Sequence, residues 1–212
     1  MNILQIDTSP LGAASVSRQL TAAVTRQVKA EIPDAVVRHR DLITTPVAHL
    51  SGELLQVIRP VPGSSPPDSP ELRADVALTE ELLTEFLNAD VVVIGAPMFN
   101  FSIPSQLKAW IDRVAQAGRT FRYTAAGAEG LAGGKKVIVV SSRGGFYAGQ
   151  PHEAAMDHQE SYLRTVLNFF GITDVTFVRA EGVGLGPEQK QQAIAAAQRA
   201  IADLHVDISK AA

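Results

Sequence analysis

Short, nearly all-apolar runs alternate with longer helix-patterned stretches along this chain. The clearest run is Val91-Val92-Val93-Ile94, which has no polar face to turn toward water. A strand of that kind belongs in a parallel sheet covered on both sides. Parallel neighbours need a long crossover rather than a tight turn, and the helix-patterned stretches supply it. Right-handed crossovers then wrap helices onto both faces, so the pattern predicts an α/β, doubly wound fold.

Strands are expected at residues 2–6, 35–39, 91–94, 136–140 and 175–180. Helices are expected at 15–30, 70–87, 105–115, 154–170 and 187–204. This order fits a flavodoxin-like, five-stranded parallel sheet with helices on both faces. A chain of 212 residues is expected to form one domain, 1–212. Two segments stand outside the minimal plan. Residues 60–70 are rich in Pro and Ser and read as an extended surface loop. Residues 119–131 read as a small hairpin excursion, whose Phe121 and Tyr123 are expected to face solvent and to meet a partner subunit.

Composition removes several functions. A net charge of -3 argues against nucleic acid as a partner. No apolar run has the length of a membrane span. The start, Met1-Asn2-Ile3-Leu4-Gln5-Ile6-Asp7, reads as a strand and not as a basic, apolar leader, so the cytoplasm is expected. Without Cys there is no disulfide and no thiol nucleophile. His39, His49, His152, His158 and His205 show no ligand spacing, and no metal is expected.

Open α/β sheets bind their ligands beyond the carboxyl ends of the strands. The third strand runs into Pro97-Met98-Phe99-Asn100-Phe101-Ser102-Ile103-Pro104. Its prolines fix φ at both ends. Asn100 can donate and accept, and Phe99 and Phe101 offer aromatic faces, a combination suited to a flat heteroaromatic ring. The alternative is a Pro-bounded turn with both Phe residues in the core. The first strand leads through Ser9 to Ser15, Val16 and Ser17 at the start of a helix. Unpaired helix N–H groups, with hydroxyls beside them, can hold a phosphate; an ordinary Ser15 N-cap is the plainer reading. The fourth strand ends in Ser142-Arg143-Gly144-Gly145-Phe146-Tyr147, where paired Gly lets backbone amides approach a ligand. Gly182-Val183-Gly184-Leu185-Gly186 has Pro187 in place of the last Gly of a dinucleotide fingerprint, so it reads as a flexible connector. Asp112 and Arg113 read as surface or salt-bridge groups. No acid–base constellation is visible, which fits an enzyme whose chemistry resides in a cofactor.

These segments, with Thr120-Phe121-Arg122-Tyr123-Thr124 and Gly171-Ile172-Thr173-Asp174-Val175, resemble the bacterial FMN-dependent NAD(P)H azoreductases, relatives of the flavodoxin-like quinone reductases. The resemblance runs nearly end to end. It implies non-covalent FMN, with its phosphate on Ser9, Ser15, Val16 and Ser17. Pro97, Met98, Phe99, Asn100 and Phe101 would line the isoalloxazine, with Phe101 beside the substrate. Ser142, Arg143, Gly144 and Gly145 would contact its pyrimidine end. Tyr123 and Phe169 would wall the pocket from the second subunit of a homodimer, with Arg59 at its mouth and Tyr147 in its lining. Phe99 stands where many relatives carry Tyr, and Tyr147 where some carry His.

The activity so implied is ping-pong hydride transfer from NADH or NADPH to planar acceptors, turning azo compounds into amines and quinones into hydroquinones. A flavin reductase that releases reduced FMN, or a non-enzymatic electron carrier, is the alternative. Arg59 or Arg122 could meet the extra phosphate of NADPH.

Overall fold

The structure is a computed structural model that describes residues 1–206 apart from Pro62, Ser64 and Pro66. Those positions of the expected Pro-rich loop, and residues 207–212, lie outside the described residues. The chain runs β1 (Asn2–Asp7), α1 (Val16–Glu31), β2 (Val36–Asp41), α2 (Gly52–Ile58), α3 (Pro70–Asn88), β3 (Val91–Pro97) and α4 (Ser105–Val114). It continues with β4 (Phe121–Thr124), β5 (Gly127–Gly130), β6 (Lys136–Ser142), α5 (Glu153–Met156), α6 (Glu160–Phe169), β7 (Asp174–Ala180) and α7 (Pro187–Ala202).

Five strands form one parallel sheet in the order β2-β1-β3-β6-β7. Alternation along β3 explains its unbroken apolar run. Val92 and Ile94 join a core with Leu82 and Phe86 of α3 and Leu107 and Trp110 of α4. Val91 and Val93 join the opposite core with Leu20 and Val24 of α1 and Ala197 of α7. Both faces of the strand therefore leave water, as the sequence requires. Serine side chains start the first three helices: Ser15, Ser51 and Ser69 each accept a hydrogen bond from the first turn of α1, α2 and α3.

The expected helix over 154–170 is broken. Asp157 Oδ1 accepts from the N–H groups of Gln159 and Glu160, both at 3.0 Å, and so starts α6 afresh after the short α5. Arg113 is not a surface group. It is fully buried in α4 and reaches Asp75 (2.7 Å), Thr79 (2.8 Å) and the Ala48 carbonyl (2.8 Å). Asp112 pairs with Lys108 at 2.6 Å.

The hairpin forms as expected, with β4 antiparallel to β5. Its two aromatics part company, however. Phe121 is 3% exposed and lies 4.5 Å from the Phe169 ring, so it is a core residue and not solvent-facing. Tyr123 is 75% exposed and edge-on to Phe121. The cause is the tight seat of the hairpin on the end of α6. A Cβ on Gly130 would sit 2.0 Å from the Gly171 nitrogen, so only glycine lets these backbones meet.

Candidate active site

Strands β1, β3 and β6 are adjacent, so their carboxyl-terminal loops share one end of the sheet. Internal bonds tie those loops together. Thr8 Oγ1 donates to the Gly95 carbonyl at 2.6 Å, and Met98 N–H donates to the Ser142 carbonyl at 2.8 Å. Gln159 Nε2 donates to Ala96 O at 2.6 Å, while its Oε1 accepts from Ser141 Oγ at 2.7 Å.

The β1 loop gathers buried hydroxyls at the start of α1. Ser9, Ser15 and Ser17 are buried, and the hydroxyls of Ser15 and Ser17 lie 3.0 Å apart. The N–H groups of Val16 and Ser17, in the first turn of α1, have no partner among the described residues. Such groups, with the helix dipole behind them, attract an anion. The neighbouring cation is already spent: both Arg18 Nη atoms bind Asp41 at 2.7 Å, and its Nε donates to Ser9 O at 2.8 Å. Hydrogen bonding to Arg18 holds the Asp41 carboxyl below its ordinary range, and the same bond raises Arg18. An anion here therefore meets dipoles and hydroxyls, with its register set by Arg18.

The β3 loop presents two exposed aromatic rings. Phe99 and Ser102 exchange backbone hydrogen bonds at 3.0 Å, closing a tight turn. Asn100 (φ 47°) and Phe101 (φ 70°) occupy the left-handed region, which Asn tolerates and Phe rarely enters. His158 N–H holds the Phe101 carbonyl at 3.0 Å. Phe99 is 39% and Phe101 43% exposed, which rules out a turn that packs both rings in the core. The Asn100 side chain is exposed and has no partner among the described residues.

In the β6 loop, Gly144 and Gly145 offer N–H groups without partners among the described residues. Arg143 departs from expectation. Its side chain is fully buried and turned inward, onto Asp157 (2.8 Å), Glu160 (2.6 Å) and Glu181 (3.2 Å), and its N–H donates to Ala180 O. It braces the loop from behind and offers a ligand neither side chain nor N–H. Burial of its charge is tolerable only because these carboxylates surround it.

Tyr147 is half-buried and lies edge-on to Phe101, ring centroids 6.5 Å apart, so the two residues expected in the substrate pocket are neighbours. Tyr123 and Phe169 do not join them. They form a separate cluster with Phe121, where α6 ends. Helices α4 and α6 run back along the parallel sheet, which puts that cluster at the opposite end from Phe101. Arg59 is exposed at the end of α2, and Arg122 is bound bidentately to Glu129. Sequence reasoning missed Thr8, Arg18, Gln159 and Glu181. Only Arg18, inside the hydroxyl-rich helix start, carried a local signal.

A parallel sheet in this order, with its loops open at the switch between β1 and β3, defines a flavodoxin-like protein. The sequence agrees: a protein-family model described as flavodoxin-like fold matches residues 1–204, and the chain belongs to that family. An FMN-dependent NADH:quinone oxidoreductase of Azospirillum brasilense is 57% identical over 211 residues, 99% of this chain and 100% of that protein. One from Sinorhizobium fredii is 59% identical over 203 residues, 96% of each chain. The crystal structure of an FMN-dependent NADH-azoreductase from Bacillus anthracis, in complex with FMN, gives a TM-score of 0.81 at 26% identity, covering 95% of this chain and 98% of that one.

Proposed function

We propose that this protein is an FMN-dependent oxidoreductase that passes electrons from NADH to planar acceptors, quinones first and azo compounds second. The observation that carries the reading is the set of unpartnered donors on adjacent strand ends: Val16 and Ser17 N–H, the Asn100 amide, and Gly144 and Gly145 N–H. They match, in that order, a phosphate, a ring edge and an electron-rich pyrimidine. The names of the relatives support the same cofactor and reductant.

FMN supplies two-electron hydride chemistry when bound. The protein's residues do the rest. Ser9, Ser15, Val16 and Ser17 hold the phosphate, and Pro97, Met98, Phe99 and Asn100 hold the ring with Ser142, Gly144 and Gly145. Phe101 and Tyr147 stack reductant and acceptor in turn and limit water, which is positioning and electrostatics rather than acid–base catalysis. Reductant and acceptor share one slot, so the kinetics are ping-pong, and an azo bond needs two rounds where a quinone needs one. The relatives' names support NADH as the reductant. A cytoplasmic location follows from the NADH supply.

Heated protein should release a yellow chromophore that chromatographs as FMN. NADH oxidation should give parallel double-reciprocal lines, with a naphthoquinone reduced faster than a small azo dye at matched concentration. Aromatic walls add only about 0.5–1.5 kcal/mol per stacked pair beyond area burial, so they select flatness more than a functional group. A colourless protein that FMN does not saturate overturns the reading, and azo dyes faster than every quinone overturn the general planar slot.

The wall residues Tyr123 and Phe169 need a second copy of the chain, since their own fold holds them at the far end of the sheet from Phe101. The working unit is therefore a homodimer with shared pockets. A one-electron carrier has no use for such a wall, which favours the enzyme. Tyr123→Ala should keep FMN and the fold but change turnover or acceptor preference, because the side chain is 75% exposed in the single chain. Sedimentation of an active monomer at micromolar concentration is the contrary result.

A further inference from the structure

We infer that the segment from Glu181 to Gly184 is a positioning element that aims the amides of the Gly144–Gly145 loop at the pyrimidine end of the flavin; the inference rests on the FMN reading above. The segment's Gly182, Val183 and Gly184 open the run, Gly182 to Pro187, that reads as a flexible connector in the sequence. The segment is instead bonded along its length to the β6 loop. Val183 N–H donates to Arg143 O (3.0 Å), Gly184 N–H to Gly144 O (3.0 Å) and Gly182 N–H to Gly145 O (2.9 Å).

Consecutive carbonyls of the loop are thus all turned toward one strap. The peptide unit is planar and trans, so each N–H points opposite to the carbonyl of the residue before it. Carbonyls held by the strap at 143, 144 and 145 force the N–H groups of Gly144, Gly145 and Phe146 to the other side. None of these N–H groups has a partner among the described residues. Successive amides facing one way form a concavity for negative charge. Negative charge builds at the pyrimidine end of a flavin when it is reduced, and protein groups there tune the cofactor.

Glu181 locks the downstream end. Its Oε1 accepts from Tyr147 N–H (2.9 Å) and Ala148 N–H (3.1 Å), and buried Arg143 steadies it at 3.2 Å. Gly184 sets the separation. A Cβ there would lie 3.2 Å from both Cα and O of Gly144. Its backbone is outside the left-handed region, so alanine is conformationally allowed and only this contact changes.

The test uses FMN-loaded protein and the variants Gly184→Ala, Glu181→Ala and Glu181→Gln. The readouts are the dissociation constants of oxidised and reduced FMN, the midpoint potential by dye equilibration, and thermal unfolding of the apoprotein. Gly184→Ala and Glu181→Ala should each weaken reduced FMN about tenfold more than oxidised FMN, lowering the midpoint by about 30 mV for a two-electron couple. Glu181→Gln keeps an oxygen acceptor for both amides and should restore the wild-type potential. If Glu181 acted through its charge, both Glu181 variants would raise the potential, which overturns the positioning role. Unshifted potentials in Gly184→Ala and Glu181→Ala, with FMN still bound, overturn the inference and leave the FMN reading standing. Failure of the unaltered protein to bind FMN overturns both. Should Glu181→Ala unfold, the single methyl of Gly184→Ala decides the matter alone.

Discussion

Arg143→Leu is expected to leave the protein about 3–5 kcal/mol less stable, or unfolded at room temperature. Removing one partner of a buried ion pair strands the other charge, and that is the regime in which such losses occur. Here the stranded groups are Asp157, Glu160 and Glu181, all packed on a guanidinium with no exposure to solvent. Arg179 still answers Glu160 at 2.7 Å, so Asp157 and Glu181 bear most of the damage. Asp157 starts α6 and Glu181 holds the Tyr147 and Ala148 amides, so the loss also reaches the candidate site. Urea unfolding of the apoprotein measures it. Arg143→Lys should recover part of the stability through charge but not the forked contacts. A Leu variant as stable as the parent would show that the carboxylates are relieved some other way.

Replacing Ser15 and Ser17 together with alanine is expected to weaken FMN binding by about 2–4 kcal/mol, since hydrogen bonds to charged groups contribute about 1.5–3 kcal/mol each and neighbours do not add fully. The fold should lose only about 1 kcal/mol, from the missing Ser15 cap on Arg18 N–H. The asymmetry between binding and stability separates phosphate recognition from ordinary capping. Quenching of flavin fluorescence during titration of the apoprotein gives the affinity. At saturating FMN the turnover should change little, because both hydroxyls lie at the start of α1 and not on the β3 loop that carries Phe99 and Phe101. An unaltered FMN affinity would return both serines to capping alone.

Much of this was legible in the chain itself. The strand runs were plain because a parallel strand buries both faces, and Val91 to Ile94 could satisfy no other setting. The serine-lined start of α1 was legible for a related reason: hydroxyl residues at a strand-to-helix junction have a local purpose. Misreadings share a different cause. Asp157 breaks a helix that its neighbours would continue, and only the capped N–H groups reveal it. Phe121 is buried by α6, far along the chain. Arg143 sits inside a motif that suggests ligand contact, yet its partners Glu160 and Glu181 are 17 and 38 residues away and face the interior. The glycines at 182 and 184 looked like slack, but Gly184 marks a close backbone approach. Local pattern specifies elements; the direction of a side chain within a packed junction depends on what arrives from elsewhere.

On the proposed function, the left-handed backbone at Phe101 would set stability against activity at a single position. Glycine is the residue that such a φ favours, and glycine there would relax the turn while deleting a ring that is 43% exposed. The Phe101 ring meets Tyr147 edge-on, yet 43% of the residue still faces water, which is far from the burial that a core phenylalanine gains. A lineage drifting under demand for robustness alone would therefore have a downhill step at this residue, toward a sturdier protein without the ring that the proposed slot uses. Thermal tolerance gained at position 101 is the kind of improvement that a screen for stability would accept and a screen for turnover would reject.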